Sequence, residues 1–143
     1  MRFGVVVVSH GKFAEELVRA TATIVGELVG FEAVPIGWDD DVAEARQRIE
    51  AAIGRVDAGR GTLLMTDMFG GTPTNLALSF HEAGRVEIVT GVNLPMLIKL
   101  TNLRDEFGLA EAAAYIASEG RQAIHVATEI LERRRDDGGG VER

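Results

Sequence analysis

Short apolar runs alternate along the chain with longer segments of mixed polarity. The first run, residues 3–8, is continuous and rich in β-branched residues. The run at 31–36 is weaker, and two further runs cover residues 62–66 and 86–90. A short, continuous apolar run is typical of a strand buried on both faces of a parallel sheet. The longer segments between the runs repeat their apolar residues every three or four positions, as an amphipathic helix does. The pattern therefore predicts four strands, each followed by a helix.

The predicted helices carry apolar stripes and start signals. The first stripe consists of Phe13, Leu17, Ile24 and Leu28, and the second of Val42, Ala45, Ile49, Ile53 and Val56. The aspartates at 39–41 are cap candidates for the second helix. A third helix is predicted over 74–80, and Asn93 can cap the fourth, with Pro95 in its first turn. We expect both stripes to face the sheet.

Four strand–helix alternations predict an α/β fold with a parallel sheet, right-handed crossovers and helices on both faces. The class is a doubly wound, mostly parallel four-stranded sheet, and the order 2-1-3-4 places the first and third strands side by side. Residues 109–117 have helical spacing, whereas residues 124–131 fit both a strand period and a helix period. We favour a helix there, and an added antiparallel edge strand stays open.

Length and composition fit one domain followed by a short tail. The chain has 143 residues, of which 46% are hydrophobic, and this is enough for one sizeable core. We assign residues 1–131 to this domain. Residues 132–143 combine a run of charged residues with consecutive glycines, and we expect them to form a flexible C-terminal tail.

Charge and residue content exclude several kinds of function. The formal net charge is -7 and the sequence pI is about 5.0, whereas nucleic acids and anionic membranes bind clustered positive charge. Cysteine is absent and the 3 histidines are scattered, so we expect neither a metal nor a cofactor. No apolar run approaches the roughly 20 residues of a membrane span, and no secretory signal is readable. We expect a cytoplasmic protein that neither enters a membrane nor binds nucleic acid.

Polar residues of reactive type follow three of the predicted strands. His10 follows the first strand, Asp67 the third and Asn93 the fourth, whereas His81 and His125 are assigned no role. In parallel sheets, ligands collect at the carboxyl ends of the strands, where the winding reverses. With the first and third strands adjacent, His10 faces Asp67. The carboxylate can accept a hydrogen bond from one ring nitrogen and leave the other as a nucleophile, so the pair suits a phosphoryl acceptor.

An anionic phosphoryl group also needs hydrogen-bond donors. Gly11 precedes one predicted helix, and Gly70, Gly71 and Thr72 precede another. Both helix starts offer free N–H groups and the positive end of a helix dipole. The glycines leave room for a phosphate, and Thr72 adds a hydroxyl donor. Each feature also has a purely structural interpretation as a turn or a cap, but their coincidence at one sheet edge favours a phosphate site.

Three motifs resemble one protein family. They are Val-Val-Ser-His-Gly at 7–11, Thr-Asp-Met-Phe-Gly-Gly-Thr-Pro-Thr-Asn at 66–75 and Gly-Val-Asn-Leu-Pro-Met-Leu at 91–97. In this order they resemble the IIA domain of the mannose family of bacterial sugar phosphotransferase systems (PTS), and the resemblance extends over residues 1–131. Some members have Trp in place of Phe69 and Ser in place of Thr72, and both changes keep the physical character of the site.

The resemblance implies a phosphotransferase that carries phosphate on a histidine. His10 would take phosphate from the phosphocarrier protein HPr and pass it to a IIB component, which phosphorylates incoming sugar. Asp67 would orient the imidazole, while Gly70, Gly71 and Thr72 would shape the phosphate pocket. The family also implies a homodimer that exchanges an antiparallel edge strand. No IIB domain follows, so we expect the IIB partner to be a separate chain.

Other assignments stay open. A solitary IIA protein could be a regulatory phosphocarrier without sugar transport. The phosphotransfer subunit of a dihydroxyacetone kinase would share the fold and His10, although its turn after the third strand resembles this one less. A strand that ends in Ser-His-Gly also resembles tetrapyrrole metal chelatases, which generally need further ligands. Histidine phosphatases have Arg before the histidine, where this chain has Ser9.

Overall fold

The computed structural model describes residues 2–138, and over that range the chain forms a four-stranded sheet and six helices. The strands are β1 (Gly4–His10), β2 (Phe31–Ile36), β3 (Thr62–Thr66) and β4 (Val86–Thr90). The helices are α1 (Phe13–Val25), α2 (Val42–Val56), α3 (Gly71–Leu78), α4 (Leu94–Leu100), α5 (Leu109–Gln122) and α6 (Ala127–Gly138). All strand pairs are parallel, in the order β2-β1-β3-β4. The predicted fold class and strand order are confirmed.

The register of the sheet brings the carboxyl ends of the central strands together. His10 pairs with Ile36 on β2, and Val8 pairs with Thr66 on β3. Strands β3 and β4 also end together. Because in-register parallel strands end at one edge, the residues that follow β1 and β3 lie near each other. We call this the carboxyl edge, and it carries His10 and Asp67.

Alternate residues of β1 enter two separate hydrophobic clusters. Val5 and Val7 pack in one cluster with α1, α4 and α5, whereas Val6 and Val8 pack in the other with α2 and α3. These valines are buried, so neither face of the strand meets water. Burial of one such side chain contributes about 1.5–3 kcal/mol. The two layers explain why the strand is continuously apolar, and they confirm that helices cover both faces of the sheet.

The predicted apolar stripes are only partly correct. Leu17 of α1 is buried as expected, whereas Phe13 and Ile24 are exposed. Helix α1 ends before Leu28, and in α2 the predicted Val42 is exposed. The face of α1 against the sheet consists of Ala14, Leu17 and Thr21. Two of these three side chains are small, so the helix packs close to the sheet and the larger residues point to solvent.

The predicted helix starts are confirmed in α2 and α4. The Asp41 carboxylate accepts a hydrogen bond from the Glu44 N–H at 3.3 Å, and Asn93 Oδ1 accepts one from the Met96 N–H at 3.1 Å. Each bond satisfies one of the free donors in the first helical turn. Helix α3 begins earlier than predicted, at Gly71.

Helix α6 confirms the helical prediction near the C-terminus. The predicted domain boundary at residue 131 falls inside this helix, which continues to Gly138. The flexibility of the tail stays a prediction, and residues 139–143 lie outside the described residues. Within residues 2–138, no fifth strand joins the outer edge of β4. None of the helices in this range is long and apolar enough to cross a membrane.

Candidate functional site

His10 and Asp67 meet at the carboxyl edge, as predicted. His10 Nδ1 lies 2.8 Å from Asp67 Oδ2, and the backbone N–H of His10 donates to that same oxygen at 2.8 Å. The other carboxylate oxygen, Asp67 Oδ1, accepts from the Met68 N–H at 2.9 Å. The carboxylate is therefore held at both oxygens, and it fixes both the ring and the backbone of one histidine.

These contacts set the tautomer of the imidazole. An ionised carboxylate only accepts hydrogen bonds, so the proton between His10 and Asp67 lies on Nδ1. In the neutral ring, Nε2 then carries the lone pair. The His10 side chain is 46% exposed and that of Asp67 is 14% exposed. The pair thus presents a nucleophilic ring nitrogen at the surface and keeps its carboxylate beneath it.

Asp67 stays ionised although it is largely buried. Burial alone would raise the pKa of this carboxyl group. Hydrogen bonds from the His10 N–H and ring, the charge on that ring and the Met68 N–H outweigh burial, and together they lower the Asp67 pKa below its ordinary value of 3.8. At neutral pH the carboxylate is therefore an anion that can stabilise positive charge on the imidazole.

The imidazole lies against the amino end of α3. A Cβ at Gly71 would lie 3.0 Å from His10 Nε2 and 3.1 Å from Cε1, so a side chain there would press on the ring. Gly71 also has a φ of 82°, which L side chains rarely adopt. The first N–H groups of a helix lack partners within it and form the positive end of its dipole. A phosphoryl group on Nε2 would lie beside this positive end, where anions commonly bind.

The remaining predicted phosphate ligands occupy different places. Gly70 caps α3 with a φ of 95°. Gly11 turns the chain from β1 into α1, and its N–H donates to the Ile36 carbonyl at 2.8 Å. Thr72 is exposed in the first turn of α3. The phosphate contacts of Gly11, Gly70 and Thr72 stay predictions, and for Gly11 the N–H already serves the turn.

Asn93 joins two helices. Its Oδ1 caps α4, and its amide donates to the Gly120 carbonyl of α5 at 3.1 Å. His81, to which no role was assigned, lies 3.0 Å from a carboxylate oxygen of Glu87. His125 is exposed between α5 and α6. The structure thus assigns Asn93 to the packing of α4 against α5.

Ser9, which the sequence pattern did not indicate as a site residue, fixes the turn behind His10. It is fully buried at the end of β1. Its hydroxyl donates to the Gly11 carbonyl at 2.9 Å and accepts from the Ala14 N–H at 2.7 Å. One side chain therefore closes the turn and satisfies a donor at the start of α1. A polar residue inside an apolar run is the signal that could have identified it.

Two buried threonines, also missed from the sequence, fix the loop that carries Asp67. The hydroxyls of Thr66 and Thr74 lie 2.8 Å apart, and both contact the Met68 carbonyl. Thr66 ends β3 and Thr74 lies in α3, so the hydroxyl pair joins the two ends of the loop. These hydroxyl contacts fix the loop conformation that places Asp67 against His10.

Large apolar side chains lie in solvent on the loops next to the His–Asp pair. Trp38 follows β2 and is 97% exposed, and Phe69 follows β3 and is 78% exposed. Met68 and Phe13 are exposed as well. We call these four residues the apolar rim. Exposed apolar groups clustered at one edge are typical of a surface that binds another protein.

Comparisons with known proteins identify the family of the chain. The model of a family described as "PTS system fructose IIA component" matches residues 4–117. The PTS system fructose-specific EIIA component of Bacillus subtilis is 30% identical over 130 residues, which cover 90% of this chain and 89% of that protein. The PTS system mannose-specific EIIAB component of Escherichia coli is 29% identical over 131 residues, which cover 87% of this chain but 39% of that protein.

Solved structures have the same fold. The mannose/sorbose specific IIA subunit of the phosphotransferase system from Enterococcus faecalis superposes with a TM-score of 0.78 at 31% identity, over 88% of this chain and 95% of that chain. The phosphotransferase system component EIIA from Streptococcus agalactiae also has a TM-score of 0.78, at 20% identity, over 89% of this chain and 98% of that chain. The second likeness concerns the fold alone.

Proposed function

This chain belongs to the EIIA-man family of PTS IIA components, and on that premise we propose that it is a phosphohistidine carrier. His10 takes a phosphoryl group from HPr and passes it to a IIB component, which phosphorylates sugar during uptake. The protein is a cytoplasmic phosphotransferase that acts from protein to protein. One observation carries the proposal: Asp67 holds Nδ1 of His10 at 2.8 Å, while Nε2 faces Gly71 at the start of α3.

The transfer step follows from this geometry. Nε2 of His10 attacks the phosphorus of the donor's phosphohistidine. The new Nε2–P bond forms as the donor's N–P bond breaks, and the electron pair of that bond returns to the donor ring. The proton on Nδ1 stays hydrogen bonded to Asp67, whose negative charge stabilises the cationic ring. The chain contributes position and electrostatic stabilisation, as is usual in phosphoryl transfer. The same step in reverse delivers the phosphoryl group to the acceptor.

Phosphate labelling tests the proposal. The purified chain is incubated with phosphoenolpyruvate, enzyme I and HPr, and its mass is measured before and after acid treatment. We expect one acid-labile, base-stable phosphate on His10. A IIB protein that removes this label would support onward transfer to sugar.

Histidine variants provide matched controls for the labelling. His10→Ala should carry no label, whereas His81→Ala and His125→Ala should label like the wild type. Equal labelling of His10→Ala would contradict the assignment, because Nε2 of His10 is then not the acceptor.

The apolar rim supports the docking of these protein partners. HPr and IIB have to bring a histidine or another phosphate-carrying group to Nε2, so both have to cover the carboxyl edge. Trp38 lies on a turn that is held in place, because the Asp40 carboxylate accepts from the Gly37 N–H at 2.7 Å and pairs with Arg48 at 2.8 Å. The turn backbone therefore needs little ordering on binding, and tryptophan is a common anchor in interfaces.

A homodimer is the second part of the proposal. Within the described residues, the outer edge of β4 has no strand beside it, and Ile124 is 76% exposed in the short segment between α5 and α6. We propose that residues 123–126 form the antiparallel strand on the β4 edge of a second copy.

Sedimentation should show a dimer for the wild type. Ile124→Asp should shift it toward monomer, whereas Ile24→Asp, at an exposed site on α1, should not. A monomeric wild type would contradict this part.

A further inference from the structure

A cleft of about 410 Å³ lies at the end of the sheet opposite to His10. It opens between the start of β1, the segment before β2 and the loop that joins α4 to α5. Strand β1 has 7 residues, so roughly 20 Å of strand separate the cleft from the His–Asp pair. The volume lies in the range of small-molecule sites. We call it the basic cleft.

Arginines dominate the charge of the basic cleft. Arg2, Arg60 and Arg104 line it, and Asp105 is the acidic residue among its lining. The chain as a whole has a net charge of -7, so a concentration of arginines stands out from the rest of the surface. A cleft lined by one sign of charge attracts ligands of the opposite sign. The ligand class is therefore anionic.

Arg60 is held in position before any ligand arrives. Its guanidinium lies 4.2 Å from the centre of the Phe3 ring. Its Nη2 also donates to the carbonyl oxygens of Asp105, at 3.0 Å, and of Phe107. The arginine thus joins the start of β1 to the α4–α5 loop across the cleft. Arg60 therefore fixes the shape of the cleft and contributes positive charge to its wall.

Arg2 lies across a glycine turn on another wall of the cleft. Gly30 has a φ of 80°, and a Cβ at this position would collide with Arg2 Nε. Within the described residues, no carboxylate pairs with Arg2. Arg104, on the third wall, is exposed and lies 3.4 Å from a Glu106 oxygen, and an exposed pair of this kind is weak. Two guanidinium groups can therefore turn toward a bound anion.

The floor of the basic cleft is apolar. Its accessible part consists of Val29, which is 57% exposed, and of the half-buried Phe31, Leu100 and Leu103. A bare inorganic anion would satisfy the arginines but would leave this floor uncovered. Guanidinium forks match the oxygens of a phosphate group, which brings up to two negative charges. We propose that the basic cleft binds a small organic phosphate ester, with its phosphate on Arg2 and Arg104 and its body on the apolar floor.

Titration calorimetry on the full chain tests this site. The probes are adenosine 5′-monophosphate, fructose 6-phosphate, inorganic phosphate and adenosine. We expect saturable binding of at least one ester, about tenfold or more tighter than inorganic phosphate or adenosine, because neither of those fills both parts of the cleft. The better ester shows whether the body is a nucleoside or a sugar. No saturable binding of either ester at about 10 mM would overturn the proposal.

Variants locate the binding. Arg2→Ala with Arg104→Ala should weaken the better ester at least about tenfold, since both guanidinium groups are lost. Arg19→Ala, which removes an exposed arginine of α1, should leave the affinity unchanged. His10→Ala should also leave it unchanged, so the result does not depend on phosphotransfer. Equal weakening in Arg19→Ala, or loss of binding in His10→Ala, would contradict a site in the basic cleft.

Discussion

The carboxyl edge and the basic cleft hold their charged groups in different ways. At the carboxyl edge, both oxygens of Asp67 accept hydrogen bonds within 2.9 Å, from the His10 backbone and ring and from the adjacent Met68. In the basic cleft, Arg2 lies across a glycine turn and Arg104 forms a weak, exposed pair with Glu106, so both of these guanidinium groups can adjust. A covalent step needs atoms placed to a fraction of an ångström, whereas reversible binding tolerates adjustable side chains. The two ends of one sheet thus differ in the way that the two proposed roles require.

The two ends of the sheet nevertheless share one backbone feature. A glycine with positive φ lies beside the key side chain in each: Gly71 has a φ of 82° beside His10, and Gly30 has a φ of 80° beside Arg2. The same substitution at both positions imposes similar backbone strain. Its effect on phosphate transfer should differ, because only Gly71 lies beside the ring that we propose to react.

Gly71→Ala should break the carboxyl edge and give the largest effect. Its Cβ would lie 3.0 Å from Nε2, so the ring has to shift, and we expect labelling from HPr to slow at least about 100-fold. Gly30→Ala should label at the wild-type rate per folded molecule. Gly70 has a similar φ, but an added Cβ there would meet nothing within 4 Å. Gly70→Ala therefore measures the effect of backbone strain without contact with the ring. If Gly30→Ala slowed labelling as much as Gly71→Ala, contact with the His10 ring would not explain the effect.

Asp67→Asn should slow labelling by about 100-fold and leave the fold intact. The asparagine oxygen can still accept from Nδ1, but the negative charge that stabilises the phosphorylated ring is lost. Single-turnover labelling from phosphorylated HPr measures the rate. Glu32→Gln is the matched control, because this carboxylate pairs with Arg55 at 2.7 Å and lies near the amino end of β2, away from the carboxyl edge. A rate within a factor of two of wild type would show that the charge is dispensable.

Trp38→Ala should affect partner binding alone. Because this side chain is 97% exposed, its loss should leave the midpoint of urea unfolding unchanged. We expect KM for HPr to rise about tenfold with kcat unchanged, as for a removed interface anchor. Ile24→Ala, which also removes an exposed apolar side chain, should leave KM unchanged. If kcat falls instead, Trp38 acts on the reacting groups and not on docking.

The pH dependence of stability should give the smallest effect. The pKa of Asp67 is lower in the folded chain than its ordinary value of 3.8, so ionisation of this group stabilises the fold above that value. The stabilisation is lost as the pH falls through the folded pKa. Urea unfolding should show wild type about 1 kcal/mol more stable than Asp67→Asn at pH 7, with a smaller gap near pH 3. A difference in unfolding free energy that grows toward pH 3 would contradict a lowered pKa of Asp67.

The carboxyl edge could be predicted because short-range signals specify it. Short apolar runs predicted the strands, and a parallel order of 2-1-3-4 was enough to place His10 opposite Asp67. The cap residues Asp41 and Asn93 also follow from local hydrogen bonding. These features depend on neighbours along the chain or on strand order alone.

Other features depend on packing between distant segments. The apolar stripe of α1 was partly wrong because close contact with the sheet favours Ala14 and Thr21 over larger residues. The basic cleft could not be predicted from the sequence because Arg2, Arg60 and Arg104 come from separate parts of the chain. Loop geometry brings them together, and neither periodicity nor a short motif reports on it.

Asp67 Oδ2 accepts hydrogen bonds from both the backbone and the ring of His10, each at 2.8 Å, so the ring is fixed relative to β1. In the proposed mechanism, the imidazole then stays in one place while it receives and delivers the phosphoryl group. The imidazole cannot rotate from one docked protein to another, because its hydrogen bond to Asp67 fixes the ring. Donor and acceptor therefore have to visit the same point in turn. We expect the two partners to compete for the carrier, so that excess unphosphorylated HPr inhibits delivery of the phosphoryl group to IIB.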